Sequence, residues 1–94
     1  MGPVNVRFYL DPETGQPHID RHAVSEQEVE EVLERPIEDR PGYEGARVAV
    51  GQSRAGRYLR VIYVPAPMPA SVFVITADPL GQKALRALRR RRKR

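Results

Sequence analysis

HIDRHAVSEQEVEEVLERP, residues 18–36, is the stretch that decides the fold, because it carries the clearest helix signals of this 94-residue chain. Ser25 is predicted to be an N-cap, and Glu28, three residues later, completes a capping box. An apolar stripe at helical spacing follows. Its members are Val29, Val32 and Leu33. Pro36 disfavours helical geometry at the residue before it, so the stretch predicts one amphipathic helix that ends at about Arg35.

Strand and turn signals lie on both sides of this helix. The predicted strands are Val6–Leu10, Ala46–Gly51, Arg57–Val64 and Ser71–Ala77. Residues 37–45 are predicted to be a loop, and Asp78 and Pro79 are predicted as N-cap and first residue of a final helix. The order β-α-β-β-β-α predicts an α+β fold, an antiparallel sheet with helices packed on one face. We expect a single domain over residues 1–88 and a basic C-terminal tail over residues 89–94 that frays unless it is bound.

The amino-acid composition and the hydropathy pattern indicate the cellular compartment. Cysteine is absent, so no disulfide framework is expected. The N-terminal residues have no apolar core typical of a secretory signal. The uncharged run from Val61 to Ala77 contains three prolines and is too short to cross a membrane. We therefore expect a cytoplasmic protein without membrane contact.

Charge is unevenly distributed along the chain. Residues 1–85 contain 9 Lys/Arg and 12 Asp/Glu, whereas residues 86–94 contain 7 Lys/Arg and no acid. A polybasic end is typical of a segment that binds RNA, DNA or another polyanion. A solvated tail that only improves solubility is the plain alternative, and neutralisation of the acidic helix of a second copy is a third.

Several classes of chemistry find little support in the residues. His18 and His22 are four apart, but the helix begins only at Ser25 and no third metal ligand is evident, so no metal site is predicted. There is no G-x-S-x-G, P-loop or G-x-G-x-x-G motif, and hence no cofactor is predicted.

Metal-free cleavage of RNA by its own 2′-hydroxyl fits the residues better. This reaction needs a proton acceptor, a proton donor and cations around the phosphate. The imidazole of His22 is a side chain of the type that accepts and donates protons in catalysis, and Arg21 and Arg57 could supply charge. We therefore predict catalytic roles for these three residues. The predicted nucleic-acid contacts are Arg54, Tyr58, Arg60, Arg86, Arg89, Arg90, Arg91, Arg92, Lys93 and Arg94. For each arginine the alternative is a solvated side chain, and for the tyrosine a packing residue of a strand.

In their order and spacing, these segments resemble the BrnT-type toxins of bacterial type II toxin–antitoxin pairs. The resemblance covers most of residues 8–78. Its parts are Asp11, His18, Arg21–His22, the helix VSEQEVEEVLERP, the strand GARVAVG, the G-x-S-x-x-G-R stretch at Gly51, Ser53, Gly56 and Arg57, and the strand VFVITA. The resemblance implies a RelE-like fold, metal-independent cleavage of messenger RNA, and inhibition by a cognate antitoxin. It also implies that the toxin–antitoxin complex binds operator DNA, usually through the antitoxin.

Three features of the sequence depart from the pattern of these toxins. Arg21 stands where Lys is usual, Asp78 stands where the last strand usually runs into Arg, and the C-terminal helix ends in a bare arginine run. Arg keeps the charge of Lys but does not donate a proton at neutral pH. The departures favour an alternative: a catalytically weakened RelE-like module that binds a protein partner through its body and nucleic acid through its basic tail.

Overall fold

Five strands form one mixed sheet in the order β1-β5-β4-β3-β2. The computed structural model describes residues 5–68 and 70–92. Its elements are β1 (Asn5–Phe8), a 3-10 helix (His18–His22), α1 (Glu26–Glu34), β2 (Glu38–Pro41), β3 (Arg47–Gln52), β4 (Tyr58–Pro65), β5 (Ser71–Pro79) and α2 (Gln82–Arg92). The α+β class is confirmed. No helix in the described ranges is long and apolar enough to cross a membrane.

The helix predicted from residues 18–36 forms as α1, and its capping box is confirmed. Ser25 has extended backbone angles, its Oγ accepts from the Glu28 amide at 3.1 Å, and Glu28 Oε1 accepts from the Ser25 amide at 3.3 Å. The apolar stripe is buried in the core. A local signal sufficed here because both capping partners lie within one helical turn.

The central meander β3-β4-β5 is antiparallel as predicted, but the order β-α-β-β-β-α is wrong in one place. Residues 38–41, predicted to be loop, form β2 and pair antiparallel with β3. This strand reads EDRP and has no apolar residue, so nothing in its own sequence favours a strand. Its pairing with β3 supplies the missing stabilisation.

The sheet is mixed and not purely antiparallel, because β1 pairs parallel with β5. The register places Asn5 opposite Ser71 and Phe8 opposite Val74. A parallel pair needs a long crossover. Here the crossover contains all the elements from the 3-10 helix to β4.

The predicted start of the last helix at Asp78 and Pro79 is also wrong. Both residues belong to β5, where Asp78 lies opposite Arg60 and Pro79 lies opposite Leu59. The ladder with β4 outweighs the local N-cap signal, and α2 begins only at Gln82. The helix then continues to Arg92, so residues 89–92 of the predicted tail are helical.

The two α-helices lie on opposite faces of the sheet, whereas the sequence predicted helices on one face. The core on the α1 side contains α1, Ile19 of the 3-10 helix, and inward residues of β3, β4 and β5 such as Ala49 and Val61. Because neighbouring residues of a strand point to opposite faces, Val50 and its register partner Glu38 face the other way. Arg91 of α2 donates to Glu38 at 2.6 and 2.8 Å, so α2 lies on that second face. The Leu88 side chain of α2 is buried.

We expect acid to weaken the attachment of α2. The hydrogen bond from Arg91 holds the pKa of Glu38 below its usual value of 4.5. A lowered pKa stabilises the fold above the unfolded-state pKa, and this stabilisation is lost as pH falls through the folded-state pKa. Urea unfolding of the wild type and Glu38→Gln at about pH 5.5 and about pH 3.5 measures it. The stability advantage of the wild type should shrink at the lower pH. An advantage that persists unchanged would contradict the role of this pair.

Candidate functional site

The 3-10 helix brings both histidines together on the surface. The rings of His18 and His22 are 5.8 Å apart between centroids in an edge-to-face arrangement, and the centroid of the Tyr9 ring lies 6.2 Å from that of His18. Tyr9 is 41% exposed, and His22 is also exposed. Two imidazoles and a phenol ring therefore form an accessible cluster next to β1. We call Tyr9, His18, Arg21 and His22 the histidine site.

Asp11 is the buried anchor of this site. It is 6% exposed, and its Oδ1 accepts from the amide of Glu13 at 2.9 Å in the turn after β1. Its Oδ2 lies 2.5 Å from Nη2 of Arg21 and 3.9 Å from Nδ1 of His18. One carboxylate thus holds the cation and lies beside one of the histidines.

Backbone contacts hold the 3-10 helix against the sheet. The His18 amide donates to the Tyr9 carbonyl at 2.9 Å, and the Tyr9 amide donates to Val74 of β5 at 2.8 Å. Ile19 is buried in the core. The helix ends at Ala23, which adopts left-handed backbone angles. The histidine site is therefore built where β1 ends, beside β5.

Arg57, predicted to be catalytic, lies next to the end of this helix but is engaged in structural contacts. Its Nη1 donates to the Ala23 carbonyl at 2.8 Å and to Glu28 Oε1 at 3.0 Å. Glu28 also accepts from the Ser53 hydroxyl at 3.1 Å. Arg57 therefore ties the 3-10 helix, α1 and the β3–β4 connection together, and Glu28 is the centre of these contacts.

The residues predicted to bind nucleic acid around β4 do not join the histidine site. Arg60 donates to both carboxylate oxygens of Asp78, at 3.2 and 2.9 Å, on the α2 face. Tyr58 is half-buried and shares that face with Arg60. Arg54 lies in the β3–β4 connection, where its amide donates to Glu31 at 2.9 Å and its side chain is largely exposed.

The basic residues of the C-terminus lie mainly along α2. Arg86, Arg89, Arg90 and Arg92 are exposed, whereas Arg91 is paired with Glu38. Lys93 and Arg94, also predicted to contact nucleic acid, lie outside the described residues. The structure thus separates the predicted residues into the histidine site and a basic helix on the other face of the sheet.

The histidine site contains residues that the sequence did not single out as catalytic. His18 is the most important of these, because its ring completes a pair with His22. Its signal is the i, i+4 spacing from His22, but the capping box begins α1 only at Ser25, so a helix that joins the two rings was not predicted. Local sequence signals did not predict the presence of Tyr9 in the site or the anchoring role of Asp11. The positions of both residues depend on the turn that pairs Leu10 with Pro17.

Two imidazoles at this separation can act as proton acceptor and proton donor in one reaction. Arg21 adds positive charge and retains donors beyond the one used on Asp11. Among the described residues, no group of three or more potential metal ligands of the His, Cys, Asp or Glu type comes together. No family model, no curated protein and no solved structure matches this chain.

Proposed function

We propose that this protein is a metal-independent endoribonuclease of the toxin class, in which His18 and His22 serve as the acid–base pair. The observation that carries this proposal is the 5.8 Å separation of the two rings beside Arg21 on an accessible surface. Neutral imidazole accepts a proton, imidazolium donates one, and both forms coexist near neutral pH. A pair of histidines therefore suits a reaction that needs both steps.

The reaction follows from the chemistry of RNA. One histidine removes the proton of a 2′-hydroxyl, whose oxygen attacks the adjacent phosphorus. The bond from phosphorus to the 5′-oxygen breaks, and the other histidine protonates that oxygen. The products are a 2′,3′-cyclic phosphate and a free 5′-hydroxyl. Arg21 stabilises the charge that develops on the phosphate oxygens, and the exposed ring of Tyr9 can stack on a base next to the cleaved bond.

Arg57 has a positioning role in this proposal. Its bond to the Ala23 carbonyl fixes the residue that follows His22. The RelE-like classification is also part of the proposal. Support comes from the β3-β4-β5 meander with α1 packed on one face and from the resemblance to BrnT-type toxins. That resemblance further supports messenger RNA as the substrate in the cytoplasm, a cognate antitoxin as the inhibitor, and operator DNA as a ligand of the complex.

A cleavage assay tests the proposal. Purified protein is incubated with messenger RNA, with and without ribosomes, in the presence of EDTA. Cleavage should occur, should leave 2′,3′-cyclic phosphate ends, and should stop at a site whose 2′-hydroxyl is replaced by hydrogen. His22→Ala, checked for folding by circular dichroism, is the inactive control. Cleavage that survives His22→Ala, or that requires metal, would refute the assignment.

The second candidate is a non-catalytic module that binds a protein partner and nucleic acid. It is favoured by three ion pairs, of Arg60 with Asp78, of Arg57 with Glu28 and of Arg21 with Asp11, because these cations, predicted to act on phosphate, are held by carboxylates. This reading predicts nucleic-acid affinity with no growth arrest on expression and no cleavage under either ribosome condition.

A further inference from the structure

The solvent face of α2 is a continuous basic surface. Leu88 is buried and Leu85 is half-buried against the sheet. At 3.6 residues per turn, Lys83, Arg86 and Arg90 fall on the side of the helix opposite Leu88, and Arg89 lies on its flank. All four cations are exposed. None of the four forms an ion pair with a carboxylate in the described part of the chain.

The acids near α2 are used in other contacts. Glu38 binds Arg91 and Arg40, and Asp78 binds Arg60. The contact between Arg91 and Glu38 fixes the rotation of the helix about its axis. One arginine thus attaches the helix to the sheet, and Lys83, Arg86, Arg89 and Arg90 form a row of exposed cations along α2.

We propose that the row Lys83, Arg86, Arg89 and Arg90 binds the phosphodiester backbone of RNA, on the face of the sheet opposite to the histidine site. The ligand rests on the proposed function, since it is the RNA that the histidine site would cleave. The row has no aromatic side chain on which a base could stack. Contacts to phosphate carry no direct sequence information, so this surface adds affinity without choosing the site of cleavage.

A nucleic-acid strand fits this face better than a membrane. Interfacial helices bury an apolar face among lipids, but the apolar face of α2 is already covered by the sheet, with Leu88 1% exposed. What remains for a ligand is a row of fixed cations. Arginine also recognises phosphate with two parallel donors, which matches a repeating backbone of phosphates.

Salt dependence of binding tests this proposal without using cleavage. The affinity of a single-stranded RNA of about 20 nucleotides is measured by fluorescence anisotropy across salt concentrations, with His22→Ala in all proteins. Each phosphate contact contributes about 0.7 to the slope of log K against log salt for a single strand. Arg90→Gln should reduce the slope by about that amount, and Arg86→Gln with Arg90→Gln by about twice as much.

Arg91→Gln is the matched control, because it removes the same charge from the attached side of the helix. Its slope should equal that of the parent, and the pair Glu38→Gln with Arg91→Gln guards against loss of folding from an unpaired carboxylate. Equal slopes for Arg90→Gln and Arg91→Gln would overturn the proposal, since net charge alone would then explain binding. Tighter binding to duplex DNA, or to vesicles containing phosphatidylserine, would overturn it as well. If the protein with His22 intact does not cleave RNA but binding is retained, only the proposed activity is refuted.

Discussion

His18→Ala and His22→Ala are each expected to slow RNA cleavage by about 10²- to 10⁴-fold, the usual contribution of a positioned acid or base. The double substitution should cost little more than the larger single one, because residues that act as a unit in one step show strongly non-additive losses. The physical reason is the 5.8 Å separation of the two rings, which places donor and acceptor at one phosphate. Single-turnover rates on a short RNA measure all three variants.

Tyr9→Phe is the control for this experiment. It keeps a ring against His18 and removes only the phenolic hydroxyl, so the rate should change by no more than about threefold, well below the loss from a missing acid or base. Two results would count against a paired mechanism: a His18→Ala rate equal to wild type, or a double-variant loss equal to the product of the single losses.

Glu28→Ala is expected to lower the free energy of unfolding by about 2–3 kcal/mol. The substitution removes the hydrogen bond that the Ser25 amide donates to the Glu28 carboxylate, which contributes about 1 kcal/mol, and keeps the bond from the residue-28 amide to Ser25 Oγ. The hydrogen bonds that Glu28 accepts from Ser53 and Arg57 add about 1–2 kcal/mol together. We discount the Arg57 contact because that side chain is 37% exposed. Urea unfolding at neutral pH measures the change, with unchanged m-values confirming that the transition is comparable.

Glu30→Ala is the matched control, because Glu30 is exposed on the same helix and forms no ion pair within the described residues. Its effect should stay within about 0.5 kcal/mol. Glu28→Gln should fall between the two, since the amide keeps neutral hydrogen bonds but loses the charge that Arg57 contacts. Equal stability of the two alanine variants would contradict the central role of Glu28.

The sequence predicted features whose causes are local. The capping box at Ser25 and Glu28 could be predicted because its partners are three residues apart. The alternating strands β3, β4 and β5 could be predicted because each has an apolar face of its own. The strand at residues 38–41 could not be predicted, since only its pairing with β3 makes it a strand. Asp78 was assigned to a helix cap because its partner Arg60, on the neighbouring strand, could not be inferred from local signals.

The candidate site was predictable only in part, for the same reason. The i, i+4 spacing of His18 and His22 was visible, but their contact required the 3-10 helix. The burial of Asp11 required the turn before that helix to close. Arg57 lies next to the end of the 3-10 helix, but its contact with Glu28 depends on the packing of α1 against β3 and β4. The toxin function and its family resemblance stay predictions.

The parallel pairing of β1 with β5 has a consequence for the timing of synthesis. Tyr9, Asp11 and the histidines follow β1 directly, yet the register joins Asn5 to Ser71, and the 3-10 helix packs on β5. Contacts so distant in sequence form only when the intervening chain is available, and they form slowly. A nascent chain that has not yet emerged as far as β5 therefore has both histidines without their geometry. On the proposed function, the messenger RNA that encodes this protein is protected from cleavage by it until β5 has been made.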